Sequence, residues 1–455
     1  MKASVRILVL MAIVSLMLTA CSAVFAKTGG GGTVTPITRE VNFSIRDDYN
    51  IGETFPGNID MDAAAIQAMG LDEMIFSIGW DDYEPVDNSF QWTWLDSFIA
   101  ELATYGIKSR PYVCYAPEWA APAYNMPPYD NATFYDFMYN FGNHYKANAN
   151  VLSVEMWNEE DGTGFWAGTL TEFKDTMAQG VAGLRASGWT KPIIMGGLTH
   201  WAGDSATWIT GFNAGTWETN YDIAAFHVYA EWTPNDSVET YMVGFKAPTA
   251  GFVYEVNNNG QGEPIWMTED SYSTYQRPES YQASYFVRAI LATLAGDGAG
   301  GEVDHYDIYQ IRDEGLNEPL IGAEDMRWLG ITYADGTQKA AYNACKQMVI
   351  LLDGQTITTP KNGDVTVTVT AGRKSSLWKY KIDRADGAIV VGVYDRGIRS
   401  SITCNAVINS TKTTCTKYNL DGTTTAWTGT NFTGGNSINN IVLADRYAVG
   451  LFLLQ

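Results

Sequence analysis

Val151-Leu-Ser-Val-Glu-Met-Trp157-Asn158-Glu159-Glu160-Asp161-Gly162 is the stretch on which the reading of this chain turns. Its apolar residues at Val151, Leu152, Val154 and Met156 read as a short buried strand. The strand delivers Trp157, Asn158 and Glu159 to its carboxyl end, where acidic residues and glycine take over. Pro264-Ile-Trp266-Met-Thr268-Glu269-Asp270 ends in the same way. Two glutamates therefore stand at the carboxyl tips of two separate buried strands.

Outward from these two stretches, strands alternate with amphipathic helical segments. Strands are expected over residues 41–45, 73–80, 107–114, 151–157, 192–196, 221–227, 265–268 and 304–311. Helices are expected over 61–69, 91–105, 134–147, 170–187, 205–212, 281–294 and 338–352, with a less regular helical region over 237–258. Eight strand–helix repeats between residues 41 and 353 predict an α/β fold, a (β/α)8 TIM barrel, in which all strand tips open on one face. A doubly wound open sheet is the competing architecture, and it would carry a glycine-rich turn after its first strand. None is present.

Beyond residue 354 the texture changes. Asp364-Val-Thr-Val-Thr-Val-Thr370 alternates with period two, and further short strands are expected over 376–382, 388–394, 401–408, 413–418 and 447–454. Residues 354–455 thus read as a small all-β sandwich domain following the barrel.

The 455-residue chain sets 29 Lys and Arg against 51 Asp and Glu, a formal charge of −22. Such a surface repels phosphate backbones, which argues against nucleic acid as a partner. Fifteen Trp and 26 Tyr exceed what a core requires, and flat apolar rings in a cleft stack on sugar faces.

Residues 1–26 read as a targeting segment, set apart from the fold. Lys2 and Arg6 precede an apolar run from Ile7 to Leu18, and Leu18-Thr19-Ala20-Cys21 resembles the bacterial lipobox with Cys21 as the lipidated residue. Val24-Phe-Ala26 offers an ordinary secretory cleavage site instead. Residues 27–40, with four consecutive glycines from Gly29, read as a flexible linker. The expectation is an extracytoplasmic protein, secreted across the inner membrane and touching the membrane only through a lipid anchor. The oligomeric state is left open.

No cysteine pair has metal-ligand spacing, and His144, His200, His227 and His305 are scattered, so neither a metal nor a cofactor is expected. Cys404 and Cys415 fall in one β-rich stretch, where a disulfide across a hairpin is expected. Cys114 and Cys345 read as buried thiols.

Trp157-Asn158-Glu159, Thr268-Glu269 and the eight-repeat order resemble the retaining glycoside hydrolases of clan A, in texture its families 39 and 5. The resemblance covers residues 41–353. Gly330-Ile-Thr-Tyr-Ala-Asp-Gly336-Thr-Gln-Lys339 is similar to that clan's passage from the eighth strand into the last helix. It implies Glu159 as acid/base, Glu269 as nucleophile, and Asn158 on the sugar 2-hydroxyl. His227-Val-Tyr229, ending the sixth strand, resembles the clan's His-x-Tyr, which implies Tyr229 on the nucleophile and His227 in the substrate cleft; a buried, satisfied histidine is the other reading. Two departures stand out. No arginine ends the second strand at Ser77-Ile-Gly-Trp80, and Tyr309-Gln310 stands where many members carry a Trp.

The chemistry implied is double displacement on a carbohydrate. A retaining enzyme needs two carboxyls about 5–5.5 Å apart, one protonated and one ionised. Glu159, backed by Trp157 and near a second carboxylate, is expected to stay protonated, and Glu269 charged if Tyr229 reaches it. Glu160 and Asp161 read as loop charges. Trp80, Trp119, Trp166, Trp201 and Trp232 fall in loops on the expected catalytic face and are the candidates for stacking on sugar rings. A transglycosylase on the same scaffold and a non-catalytic glycan-binding lipoprotein are the rival readings.

Overall fold

The computed structural model describes residues 38–455, apart from 50, 54–56, 200–203, 233–236, 247–250, 296–302, 317–322, 359–364, 399, 433 and 435. The targeting segment, Cys21, most of the linker and Trp201 lie outside the described residues. No helix among the described residues is long and apolar enough to cross a membrane.

Eight parallel strands carry the first part of the chain: β1 (Thr38–Arg46), β2 (Glu73–Gly79), β3 (Lys108–Cys114), β4 (Val154–Met156), β5 (Ile193–Met195), β6 (Ala224–Val228), β7 (Ile265–Asp270) and β8 (Val303–Tyr309). Each pairs in parallel with its neighbour in sequence from β1 to β5 and from β6 to β8. β8 returns to β1 along Asn42–Arg46, and β5 meets β6 through the bridges Ile194–Ile223 and Leu198–Phe226. This is the neighbour order the repeats predict, and not that of a doubly wound sheet. β4 is shorter than expected: it begins only at Val154, and it ends at Met156, where Trp157 and then Glu159 take left-handed backbone angles (φ 79° and 44°).

Helices cover these strands with apolar stripes. Asn131–Tyr145 buries Phe134, Phe137, Met138 and Phe141, and Leu170–Ala186 buries Phe173, Met177, Val181 and Leu184. The second opens on a capping box, Thr169 with Glu172, which satisfies two otherwise orphaned backbone donors. The helix Glu279–Leu294 has almost no exposed face: every residue from Gln282 to Leu294 is buried, Arg288 among them on Glu239. A helix buried all round needs cover on both sides, and the C-terminal β region supplies the second.

That region contains β9 (Gln355–Thr358), β10 (Val365–Ala371), β11 (Leu377–Arg384), β12 (Ile389–Asp395), β13 (Ile402–Ile408), β14 (Cys415–Tyr418), β15 (Thr424–Ala426), β16 (Ser437–Leu443) and β17 (Val449–Leu454). One sheet runs β15-β14-β17-β12-β11-β9 and continues into β1, since Thr38–Val41 pairs antiparallel with Gln355–Thr358. The other is β10-β13-β16. β12 is buried on both faces: Ile389, Val391 and Val393 share a core with the β10-β13-β16 sheet, and Val390 and Tyr394 join the larger core. Gly392 lies so close to Leu291 that a Cβ would come within 2.4 Å of its Cδ1.

One expectation fails here. Cys404 and Cys415 are free, buried thiols. They lie on β13 and β14, which belong to different sheets rather than to one hairpin. Packed sheets stand about 10 Å apart, wider than a disulfide's usual Cα separation.

Candidate active site

The carboxyl tips of β1, β4, β6 and β7 converge. Arg46 ends β1, Asn158 and Glu159 follow β4, His227 lies in β6 with Tyr229 just beyond it, and Glu269 is the penultimate residue of β7. The sharp exit from β4 is held by backbone bonds on both sides: Trp157 N donates to Val113 O at 2.8 Å, and Glu159 N to Gly197 O at 3.1 Å. Gly197 is required here, because a Cβ would come within 2.0 Å of His227 Nε2.

Arg46, 1% exposed, organises the floor. Its Nε is 3.1 Å from Glu269 Oε2, and one terminal nitrogen donates to Asn158 Oδ1 at 2.5 Å. The other donates to His227 Nε2 at 3.3 Å and lies 3.8 Å from Glu155 Oε1. The guanidinium rests over the Tyr112 ring, 3.9 Å from its centre. Tyr229 donates its hydroxyl to Glu269 Oε1. Glu269 is thus met by a cation on one oxygen and a hydroxyl on the other.

Glu159 has the opposite environment. Burial, and then the nearby Asp161 carboxylate, push its carboxyl up to about 8, with Arg46 pulling the other way. Asp161 is itself fixed by Thr199 N at 2.9 Å and Thr199 Oγ1 at 2.6 Å, and by Ser205. His227 is driven down to about 4, first by burial, so it is neutral near pH 7. Because its Nε2 accepts from Arg46, the ring proton is assigned to Nδ1, which donates to Glu159 Oε1 at 3.0 Å. One oxygen of Glu159 is occupied by this bond and the other can carry the acid proton.

Glu159, His227 and Glu269 offer three ligand atoms within 4.8 Å of one another, a spacing a divalent cation could span. Arg46 opposes that use. A metal on Nδ1 would move the ring proton to Nε2 and set it against a guanidinium, whereas metal-bound histidines donate that proton to an acceptor. The donor set does not fit a cation.

The structure brings Asn158, Glu159, His227, Tyr229 and Glu269 together. It does not do so for Trp80 and Trp166. Trp80 is 1% exposed, wedged among Trp119, Phe134 and Phe137, with its Nε1 on Glu84. Trp166 is equally buried, edge-on to Trp157 and Phe173. Neither has a face to offer a ligand, so both are packing residues. Trp119 is half-buried, its Nε1 tied to Glu84 O. Trp232 ends a short helical turn, but its side chain, like all of Trp201, lies outside the described residues. The half-buried rings of Tyr115 and Phe165, 6.4 Å apart, occupy the β3 and β4 loops instead.

Arg46 escaped the sequence reading, which ended the first strand at Ile45 and sought an arginine on the second. Its signal was the one used for the glutamates: a charged residue directly after a buried run. Glu160 was also misread. It is not a solvated loop charge but fully buried, pressed against Gly196, with burial holding its carboxyl well above the usual range.

No protein-family model matches the chain, and no curated protein matches its sequence. The fold has relatives among solved structures. A family 39 glycoside hydrolase from the gut symbiont Bacteroides cellulosilyticus WH2 superposes with a TM-score of 0.65 at 13% identity, over 91% of this chain and 81% of the other. A family 30 endoxylanase from Clostridium papyrosolvens C71 gives 0.62 at 12% identity, over 92% and 98%. A monomeric β-xylosidase from Caulobacter crescentus CB15 gives 0.60 at 15% identity, over 93% and 97%. At these identities the likeness is one of fold: this chain has the mixed α/β fold, with its parallel sheet, of glycoside hydrolases from families 39 and 30.

Proposed function

We propose that the chain is a glycoside hydrolase that cleaves β-linked glycosides of poly- or oligosaccharides with retention of configuration. On this reading residues 41–353 form a (β/α)8 catalytic barrel and residues 354–455 a β-sandwich domain. The observation that carries it is the pairing of two carboxyls with oxygens within 4.8 Å, one held up to about 8 and the other met by Arg46 and Tyr229. An inverting enzyme keeps about 6.5–9.5 Å between its carboxyls to admit water, so the separation favours direct attack.

In the first step Glu159 gives its proton to the glycosidic oxygen as Glu269 attacks the anomeric carbon. The leaving group departs as a neutral alcohol, and an ester joins the sugar to Glu269. Arg46 and Tyr229 hold the nucleophile in place, and Asn158, fixed by Arg46, is available to the 2-hydroxyl. In the second step ionised Glu159 takes a proton from water, whose oxygen displaces Glu269 and restores both carboxyls. The fold of the family 39, family 30 and β-xylosidase structures supports this reading, as does the chain's acidity, which suits neutral glycans over polyanions. Residues 18–21 support export and anchoring through lipidated Cys21, which would put the activity at the cell envelope.

A 2-fluoro glycoside with an activated leaving group tests the assignment. It should stall the enzyme after the first step, and peptide mapping should find the sugar on Glu269 and none on Glu159. Label elsewhere, or an inverted anomer in the first-formed product, would reject the proposal.

A further inference from the structure

We propose that Asp48 is a specificity residue that binds a pair of adjacent hydroxyls on the sugar in the site, so that neutral rings are taken and uronic acids refused. The inference rests on the hydrolase reading and names its substrate class.

Asp48 lies two residues beyond Arg46, at the same strand tip, yet it is exposed where Arg46 and Asp47 are buried. Its Oδ1 accepts from Ser77 N at 3.0 Å and from the Tyr112 hydroxyl at 2.8 Å. Tyr112 is the ring beneath Arg46, which in turn reaches Glu269. Asp48 is therefore joined to the site through two contacts. Two donors on one oxygen fix the plane of the carboxylate, and among the described residues no donor reaches Oδ2. A carboxylate held this way has lone pairs aimed at fixed points, and two neighbouring ring hydroxyls can donate to it together.

The same geometry excludes an anionic ring. A uronic carboxylate at this position would meet the exposed carboxylate of Asp48. The guanidiniums are engaged: Arg46 with Glu269, Asn158 and His227, and Arg312 with Asp62 at 3.2 Å. An anion left unpaired against a fixed carboxylate is disfavoured by like-charge repulsion.

The test compares wild type, Asp48→Asn and Asp48→Ala, as the full chain, on p-nitrophenyl β-xyloside, glucoside, galactoside, mannoside and glucuronide. Asn is isosteric and keeps an acceptor for Ser77 and Tyr112, so the fold is preserved while a donor replaces the free acceptor. Wild type should favour its best neutral substrate over the glucuronide by about 100-fold or more in kcat/KM, and Asp48→Asn should cut that ratio at least about tenfold. A residue with a merely structural role would lower both substrates alike and leave the ratio unchanged. An unchanged ratio, or a wild type that prefers the glucuronide, overturns the inference. If no glycoside is turned over, the hydrolase reading fails, and tryptophan-fluorescence titration with xylose, glucose and glucuronic acid decides Asp48 alone. Neutral sugars should bind in preference to glucuronate, and Asp48→Asn should erase the preference. Equal binding of all three by wild type rejects it.

Discussion

Two buried arginine–histidine pairs occupy the interior of the parallel sheet, and they are built from the same parts. Arg46 rests on Tyr112 and touches His227, Glu269, Asn158 and Glu155. Arg110 rests on Trp266, 4.4 Å from the ring centre, and touches His305, Asp307, Ser44 and Glu73. The lower pair is closed. Asp307 is 0% exposed, and although burial would raise its carboxyl, Arg110 and His305 outweigh that and hold it well below the usual range. The upper pair opens at the strand tips, and there burial first, then the Asp161 carboxylate, outweigh Arg46, so Glu159 keeps its proton to about 8. An arginine–histidine pair resting on an aromatic ring thus gives a structural lock where its acid is fully paired and buried, and the proposed reactive centre where a second acid, Glu159, keeps its proton at the strand tips.

The sharpest way to break this contrast is to remove one acid from each pair. Glu269→Gln deletes the proposed nucleophile, and turnover of every glycoside should fall by roughly four or more powers of ten while the protein stays folded. Asp307→Asn should do the reverse. It leaves Arg110 buried with Glu73, at 3.5 Å, as its remaining ion-pair partner among the described residues, which should cost about 3–5 kcal/mol of stability. Turnover per folded molecule should stay within a few-fold. Urea unfolding and initial rates on both variants decide this, and a stable but inactive Asp307→Asn would show that the lower pair also serves the chemistry.

Much of this was legible in the chain because strand tips are legible. A buried run that ends in a charged residue places that residue on the open face whatever the rest of the fold does, and Glu159 and Glu269 were found that way. Arg46 needed only one more residue of β1. The tryptophans were not legible, because a loop position does not say which way an indole turns; Trp80 and Trp166 turn inward, onto Phe134 and Phe173. β9 and β16 were missed since Gln355-Thr-Ile-Thr is too polar to mark a strand by pattern, and in β16 the Asn439-Asn440 pair interrupts the alternation. Their pairing comes from distant partners, β1 and β13. The fate of Cys404 and Cys415 likewise depended on which sheet each strand joined.

A smaller effect sharpens the part of Asp161. With Glu159 as general acid, activity should fall as pH rises through about 8, where its proton is lost. After burial, Asp161 is the next contributor to that elevated value, so Asp161→Asn should move the basic limb of kcat/KM to lower pH. Asn keeps an acceptor for Thr199, which preserves the loop. A limb that stays in place would mean that burial alone sets the acid, and that the Asp161 carboxylate has no catalytic part.

The smallest expected effect concerns stability and follows from the same carboxyl. Glu159 has a folded value near 8 against an ordinary 4.5, so the folded state binds its proton more tightly than the unfolded chain does. The stability this confers is fully present below about pH 4.5 and is lost as pH rises through about 8. Glutamine carries no such proton and pays no such penalty. Glu159→Gln should therefore match wild type in thermal midpoint near pH 4 and exceed it increasingly toward pH 9. At Asp307 the sign reverses, because its folded value is depressed: the charge stabilises at neutral pH and is lost only in strong acid. Melting curves of Glu159→Gln and wild type across this range separate the cases, and parallel curves would place Glu159 in water rather than in the buried setting that the acid role requires.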